Sequence, residues 1–179
     1  VKSERTEMSE ERKAIFMELY DPNHSRFERF CKARVYGEMD FKDLMHDTVV
    51  IAFQKFDPSF EKASFLSFLF GIAIRVLANN KRRKEKDVIH KNTIRRDDVF
   101  YDHTVKKEAI EQLYAALSEL PDIQKESIIL FEIVGYAIKE IAELHKVSEN
   151  VVKQRLFRGR NQLRLILTRQ NEINKTIGL

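Results

Sequence analysis

Apolar positions recur with helical spacing along most of this chain, and polar residues fill the positions between them. Ile15, Phe16 and Leu19 predict a first short helix from Ser9 to Tyr20, broken by Asp21, Pro22 and Asn23. Ser25 with Glu28 has the form of a capping box, and the helix behind it keeps Phe27, Phe30 and Cys31 on one side as far as Gly37. Asp40 and Asp43 open a third helix, in which Phe41, Leu44, Met45, Thr48, Val49, Ala52, Phe53 and Phe56 form an unbroken apolar side. Asp57-Pro58 ends it, and the loop to Ser64 carries Phe60 and Lys62. A fourth helix follows from Phe65 to Arg83, with Phe65, Leu69, Ile72, Ala73, Val76 and Leu77 inward and Asn79, Asn80, Lys81, Arg82, Arg83 and Lys84 at its end.

From Glu85 to about Val105 the pattern lapses into a charged, aperiodic stretch holding Asp97, Asp98 and Asp102, which reads as a linker. Periodicity returns with Ile110, Leu113, Tyr114 and Leu117, up to the break at Leu120-Pro121. Ile123 to Val134 is apolar on nearly every side, as a central core helix is. Gly135 to Arg164 then reads as two helices joined by the turn His145, Lys146 and Val147. The first buries Ile138, Ile141 and Ala142. Ser148 stands where an N-cap belongs, with Glu149 in the first turn behind it. In the second helix Val152, Leu156, Gly159 and Leu163 form an apolar stripe, and Asn150, Gln154, Arg158 and Asn161 lie opposite. The expected fold is therefore all-α: two small helical domains, 1–84 and 106–179, joined by a charged linker at 85–105, the second ending in a helix-turn-helix.

Composition supports this picture, because a chain with 5 Gly and 3 Pro has few helix breakers and 43% hydrophobic residues suffice for real cores. The formal charge of +4 is modest, and its placement matters more. From Val151 to Asn171 the chain carries Lys153, Arg155, Arg158, Arg160, Arg164 and Arg169 and no acid, the pattern of a helix lying along phosphates. Asn and Gln pair with adenine edges in a major groove, and Arg with guanine edges. A single Cys31 excludes an intrachain disulfide, and the five His are scattered without ligand spacing, so neither a metal nor a cofactor is implied and a processing enzyme is disfavoured. With no long apolar run and no signal-peptide pattern, a cytoplasmic protein without membrane insertion is expected. A helix-turn-helix regulator of the response-regulator type, binding duplex DNA unaided as a dimer, would use the same final domain but would leave Phe41 to Lys84 unexplained.

The segments Phe41 to Phe56 (FKDLMHDTVVIAFQKF) and Phe65 to Lys84, with Leu120-Pro121, Glu140-Ile141-Ala142-Glu143, Val152-Lys153-Gln154-Arg155-Leu156 and Arg158-Gly159-Arg160, together resemble a bacterial RNA polymerase sigma factor of the extracytoplasmic-function group of the sigma-70 family. The chain departs from the family pattern at His46, Phe68, Ala137 and Lys146. The resemblance implies a non-catalytic specificity subunit that binds core polymerase, through the β′ clamp helices and the β flap, and places it on promoter DNA. It assigns Asp43, Leu44, His46, Asp47 and Val50 to core polymerase. Phe60, Lys62, Asn79, Asn80, Arg82 and Arg83 fall to the minus-ten element, and Ser148, Asn150, Val151, Lys153, Gln154, Arg155, Arg158 and Arg160 to the minus-thirty-five element. It also implies an anti-sigma factor as partner. The residues fit such roles: Asp43 and Asp47 offer acid to a basic surface, and Phe60 lies on a loop where an unpaired base can stack. Phe56 and Phe65 beside it read as core.

Overall fold

The computed structural model describes residues 2–87 and 105–177, and among them every regular element is a helix. The order is α1 (Lys2–Tyr20), α2 (His24–Val35), α3 (Phe41–Lys55), α4 (Phe65–Asp87), α5 (Val105–Ser118), α6 (Asp122–Ile128), α7 (Ile138–His145) and α8 (Glu149–Ile177). One expected boundary moves at the junction of α1 and α2. The Asp21-Pro22-Asn23 break is a single 3-10 turn that leads directly into α2 at His24, so Ser25 lies inside the helix and is not its N-cap. Asn23 bridges the junction by donating from Nδ2 to the Leu19 carbonyl at 2.8 Å. The expected linker acids Asp97, Asp98 and Asp102 lie outside the described residues.

The helices form two compact units. The first comprises Val1–Cys31 with Phe41–Thr93, and the second comprises Lys32–Asp40 with Ile94–Leu179. In the first, α3 and α4 pack together around an aromatic centre supplied by α1. The Phe16 ring meets Phe53, Phe56 and Phe65 edge to face at 5.3, 5.3 and 5.4 Å, the arrangement that ring quadrupoles favour. Phe56 and Phe65 are therefore core, as expected. The segment Lys62–Arg83 has, by length and composition only, the hydropathy of a membrane-crossing helix. Its apolar character is accounted for inside the unit, where Phe65, Leu66, Leu69, Phe70, Ile72, Ala73, Val76 and Leu77 are all buried. Cys31 is buried too, and burial pushes its thiol up, leaving it an inert core residue.

In the second unit α6 and α7 pack on α8, with α5 alongside. The segment expected to be one apolar helix is two elements: α6 ends at Ile128, and Ile129–Val134 open into a π turn closed by Gly135 in the left-handed region (φ 81°). Nor is it apolar throughout, since Lys125, Glu126 and Ser127 are all buried. The reason is a compensated set of charges. Arg34 donates from Nε to Glu126 at 3.1 Å and from Nη2 to Asp122 at 3.2 Å, while Lys125 donates to Glu38 at 2.7 Å. Buried charges persist when each has its counterpart. His145 adjoins this set. Arg155 donates to its Nδ1 at 3.1 Å, which leaves the ring proton on Nε2, 3.8 Å from Glu126 Oε2. Burial, and then the Arg155 charge, push His145 down from 6.5 to about 4, so the ring is neutral at pH 7.

Two outcomes follow from this packing. Phe16→Ala should destabilise the first unit by about 3–5 kcal/mol in urea unfolding, because it removes the ring common to three aromatic contacts. The second concerns acid. The unfolded chain takes up a proton at His145 once pH falls below 6.5 and the folded chain resists it to about 4, so the stability His145 confers is complete above that window and lost on falling through it. Burial pushes Glu126 up, which has the opposite sign and favours the folded state as pH falls. Urea titrations at a series of pH values should therefore show a shallower acid loss between pH 6.5 and 4 in His145→Asn than in the parent chain.

Candidate nucleic-acid interface

The helix-turn-helix forms from α7, the turn at Lys146, and α8. Ala137 has no side-chain acceptor for the start of α7, but Glu140 compensates by accepting the Ala137 N–H at 2.7 Å. At the other end Lys146 takes the left-handed conformation (φ 53°, ψ 48°) usually given to Gly, and the Val147 N–H returns to the Ala142 carbonyl at 3.0 Å. Ser148 caps α8 as expected, its Oγ accepting from the Val151 N–H at 3.4 Å.

Val152, Leu156 and Gly159 are buried, which turns the opposite side of α8 to solvent. Asn150, Gln154, Arg158 and Asn161 are all exposed there. Phe157 joins them at 67% exposure, a residue the sequence reading passed over. The signal was present: 154, 157, 158 and 161 are an i, i+3, i+4, i+7 series, one face of a helix. An exposed ring among hydrogen-bonding side chains suits contact with a thymine methyl.

The basic residues of α8 divide into two groups. Arg160 donates to Glu132 at 2.9 and 2.6 Å and lies 5.2 Å over the Phe131 ring, and Arg169 pairs with Glu119 at 2.6 Å. Arg155 is half-buried and committed to His145. Among the described residues Lys153, Arg158 and Arg164 are exposed without an acid partner. Val151 is half-buried at the edge of the face.

In the first unit Asp43, His46, Asp47 and Val50 are exposed on one side of α3. Leu44 is not; it is fully buried and supports that side from beneath, so its expected contact with a partner gives way to a packing role. His46, Asp47, Val50 and Ile51 line an open hollow of about 290 Å³ with Val76, Asn79, Asn80 and Arg83 of α4. Arg82 is exposed beside it. The other two residues expected at the minus-ten element lie elsewhere. Phe60 is half-buried with its ring 4.9 Å from Phe68, and Lys62 is paired with Glu18 at 2.7 Å. Phe68 and Asn80 are about 18 Å apart along α4, at ~1.5 Å per residue. The six residues therefore form two groups at opposite ends of a helix.

Comparison with known proteins agrees with this geometry. The family model for sigma-70 region 4 matches residues 110–163, the stretch that holds α6, α7 and the first half of α8. The sigma factor SigX of Bacillus subtilis (strain 168), an extracytoplasmic-function RNA polymerase sigma factor, is 27% identical over 159 residues, covering 83% of this chain and 81% of SigX. SigM of Mycobacterium tuberculosis (strain ATCC 25618 / H37Rv), of the same group, is 25% identical over 154 residues, covering 85% of this chain and 76% of SigM. The fold is similar to that of the sigma factor RpoE of Bartonella quintana, solved in complex with the anti-sigma factor NepR, with a TM-score of 0.62 at 20% identity over 94% of this chain and 98% of RpoE. With region 4 matched at its helix-turn-helix and relatives matched over more than four-fifths of its length, the chain is similar to extracytoplasmic-function sigma factors through both of its units.

Proposed function

We propose that this chain is a non-catalytic, promoter-reading subunit of bacterial RNA polymerase, acting in the cytoplasm: it binds the core enzyme, carries it to particular promoters and helps to open them. Residues 1–84 take the β′ clamp helices and the minus-ten element, 85–105 tether, and 106–179 read the minus-thirty-five element and meet the β flap. An anti-sigma factor binds it and holds it inactive; RpoE, similar in fold, was solved in complex with such a factor.

The observation that carries this reading is the outward face of α8. It presents Gln154, Phe157, Arg158 and Asn161 together, with the unpaired cations Lys153, Arg158 and Arg164 around them and no acid along the helix from Val151 to Asn171. Base-edge readers ringed by phosphate-binding charge are what a major groove requires. Acid on α3 adds a second surface that a lone duplex-binding regulator has no use for. Asp43 and Asp47 suit a basic partner and repel DNA.

Base readers and phosphate binders separate by experiment. In competition binding of the holoenzyme, Gln154→Ala and Arg158→Ala should each change base preference within the minus-thirty-five element, at a cost of about 1–3 kcal/mol. Phe157→Ala should weaken only promoters with thymine at its position. Lys153→Ala should weaken all promoters alike and lower the salt slope by about one. An unchanged promoter ranking across the first three variants sinks the groove assignment.

Charge reversal tests the other surface. Asp43→Lys and Asp47→Lys should reduce capture of core polymerase in a pull-down while circular dichroism stays unchanged. A loss of helix content instead would mean that they serve the N-terminal dipole of α3.

A further inference from the structure

Helix α3 ends without a glycine, and its last carbonyls are taken up by a side chain more than 40 residues earlier in the chain. Arg12 of α1 donates from Nη2 to the Phe53 carbonyl at 2.7 Å, to Gln54 at 3.2 Å and to Phe56 at 2.7 Å, and from Nε to Phe56 at 3.1 Å. Its guanidinium lies 5.1 Å over the Phe53 ring. A helix end leaves carbonyls that need donors, and a rigid planar fork holds its N–H groups in a fixed geometry toward them, where an ammonium is a compact, strongly hydrated point charge on a flexible stem. What leaves this cap is the loop carrying Phe60. The loop is braced again by Asp57, whose Oδ1 accepts from the Ser59 N–H at 2.8 Å and from Ser59 Oγ at 2.6 Å, and the Phe60 N–H returns to the Asp57 carbonyl at 2.9 Å. At the far side Lys62 reaches back to Glu18, also on α1.

We propose that Arg12 is a positioning residue for promoter opening: by capping α3 it sets the direction in which the chain enters the loop Asp57–Glu61, and so holds Phe60 where an unpaired base can stack on it. The base-stacking part rests on the function proposed above; the fixing of the loop does not. Arg12 touches neither DNA nor polymerase in this scheme, and α1 thereby becomes part of the strand-reading apparatus. Phe16 and Phe65 also pack on the Phe56 ring from outside, but among the described residues the Arg12 set is what reaches the loop-entry carbonyls from outside the loop and α3.

The sequence contains no Trp, so Phe60→Trp places a single reporter on the loop of the full chain. In that background Arg12→Lys keeps the charge and loses the fork. The reporter should then show lower fluorescence anisotropy and about twofold greater quenching by acrylamide, with helix content and capture of core polymerase unchanged. In the Phe60 parent, Arg12→Lys should lower binding of the minus-ten non-template single strand to the holoenzyme about tenfold, toward the level of Phe60→Ala. An unchanged reporter in a folded Arg12→Lys chain overturns the proposal. If the reporter loosens and neither Arg12→Lys nor Phe60→Ala affects strand binding, the stacking role of Phe60 is wrong and the loop-fixing role of Arg12 stands. Should Arg12→Lys lose helix content, Arg12→Gln is read in its place, and loss of helix content in both makes Arg12 a fold residue and overturns the positioning role.

Discussion

Helix α8 can read DNA only with the side that its own packing leaves open, and that side is set where it crosses α6 at Gly159. A Cβ at this position would lie 2.7 Å from Ile128 Cδ1, 3.3 Å from Ile128 Cγ1 and 3.4 Å from Gln124 Cβ, so the bare backbone occupies space that a side chain would contest. Gly inside a helix costs about 1 kcal/mol relative to Ala, and here that cost is offset by a close crossing that buries Val152 and Leu156 on the same side. The crossing also locks the rotation of the helix. Turning α8 by one residue would swing its stripe by 100° and carry Phe157 or Arg158 toward the core. The outward group is thus a consequence of the inward one.

Charge follows a similar division. Arg34, Lys125, Glu38, Asp122 and Glu126 neutralise one another within the second unit, and such a set specifies how its members pack more than it adds stability. Arg160 and Arg169 are paired at the flanks of α8. What remains unpaired, Lys153, Arg158 and Arg164, lies on or beside the reading side. A count of basic residues overstates the charge available to phosphates, because three of the six between Val151 and Asn171 are held by Glu132, Glu119 and His145.

Most helices were legible from periodicity, because each buries one side and the apolar spacing records it. The core side of α4 appears in the structure as read, and so does the stripe of α8 at Val152, Leu156 and Gly159, while Leu163 is half-buried. Long-range contacts between polar residues left no such trace. Lys125 and Glu126 lie inside the segment read as apolar on nearly every side, and only the arrival of Glu38 and Arg34, 87 and 92 residues earlier, explains their burial. Arg12 likewise has no spacing that marks it, because the carbonyls it serves lie 41 to 44 residues away. Leu44 was misassigned for a related reason: a partner-binding motif in sequence includes the residues that hold its surface up. Phe157 was legible and overlooked, since apolar residues on a polar face are usually discounted.

The division of the minus-ten residues into two groups bears on what kind of DNA the first unit can meet. A span of about 18 Å is about five base pairs at ~3.4 Å each, half of a 10–10.5 bp turn. On an intact duplex lying along α4, the groove that faces Asn80 would have turned away by the time it reached Phe60. A single strand is free of that constraint and can follow the protein from one group to the other. Stacking one base on an aromatic ring returns about 1–3 kcal/mol, comparable to the few kcal/mol needed to take that base out of the duplex, so in the proposed function Phe60 would offset the opening of one position and little more. In the proposed function the remaining free energy would come from a partner bound to the same unit, and the hollow in which His46, Asp47 and Val50 of α3 meet Asn79, Asn80 and Arg83 of α4 puts the two proposed surfaces side by side.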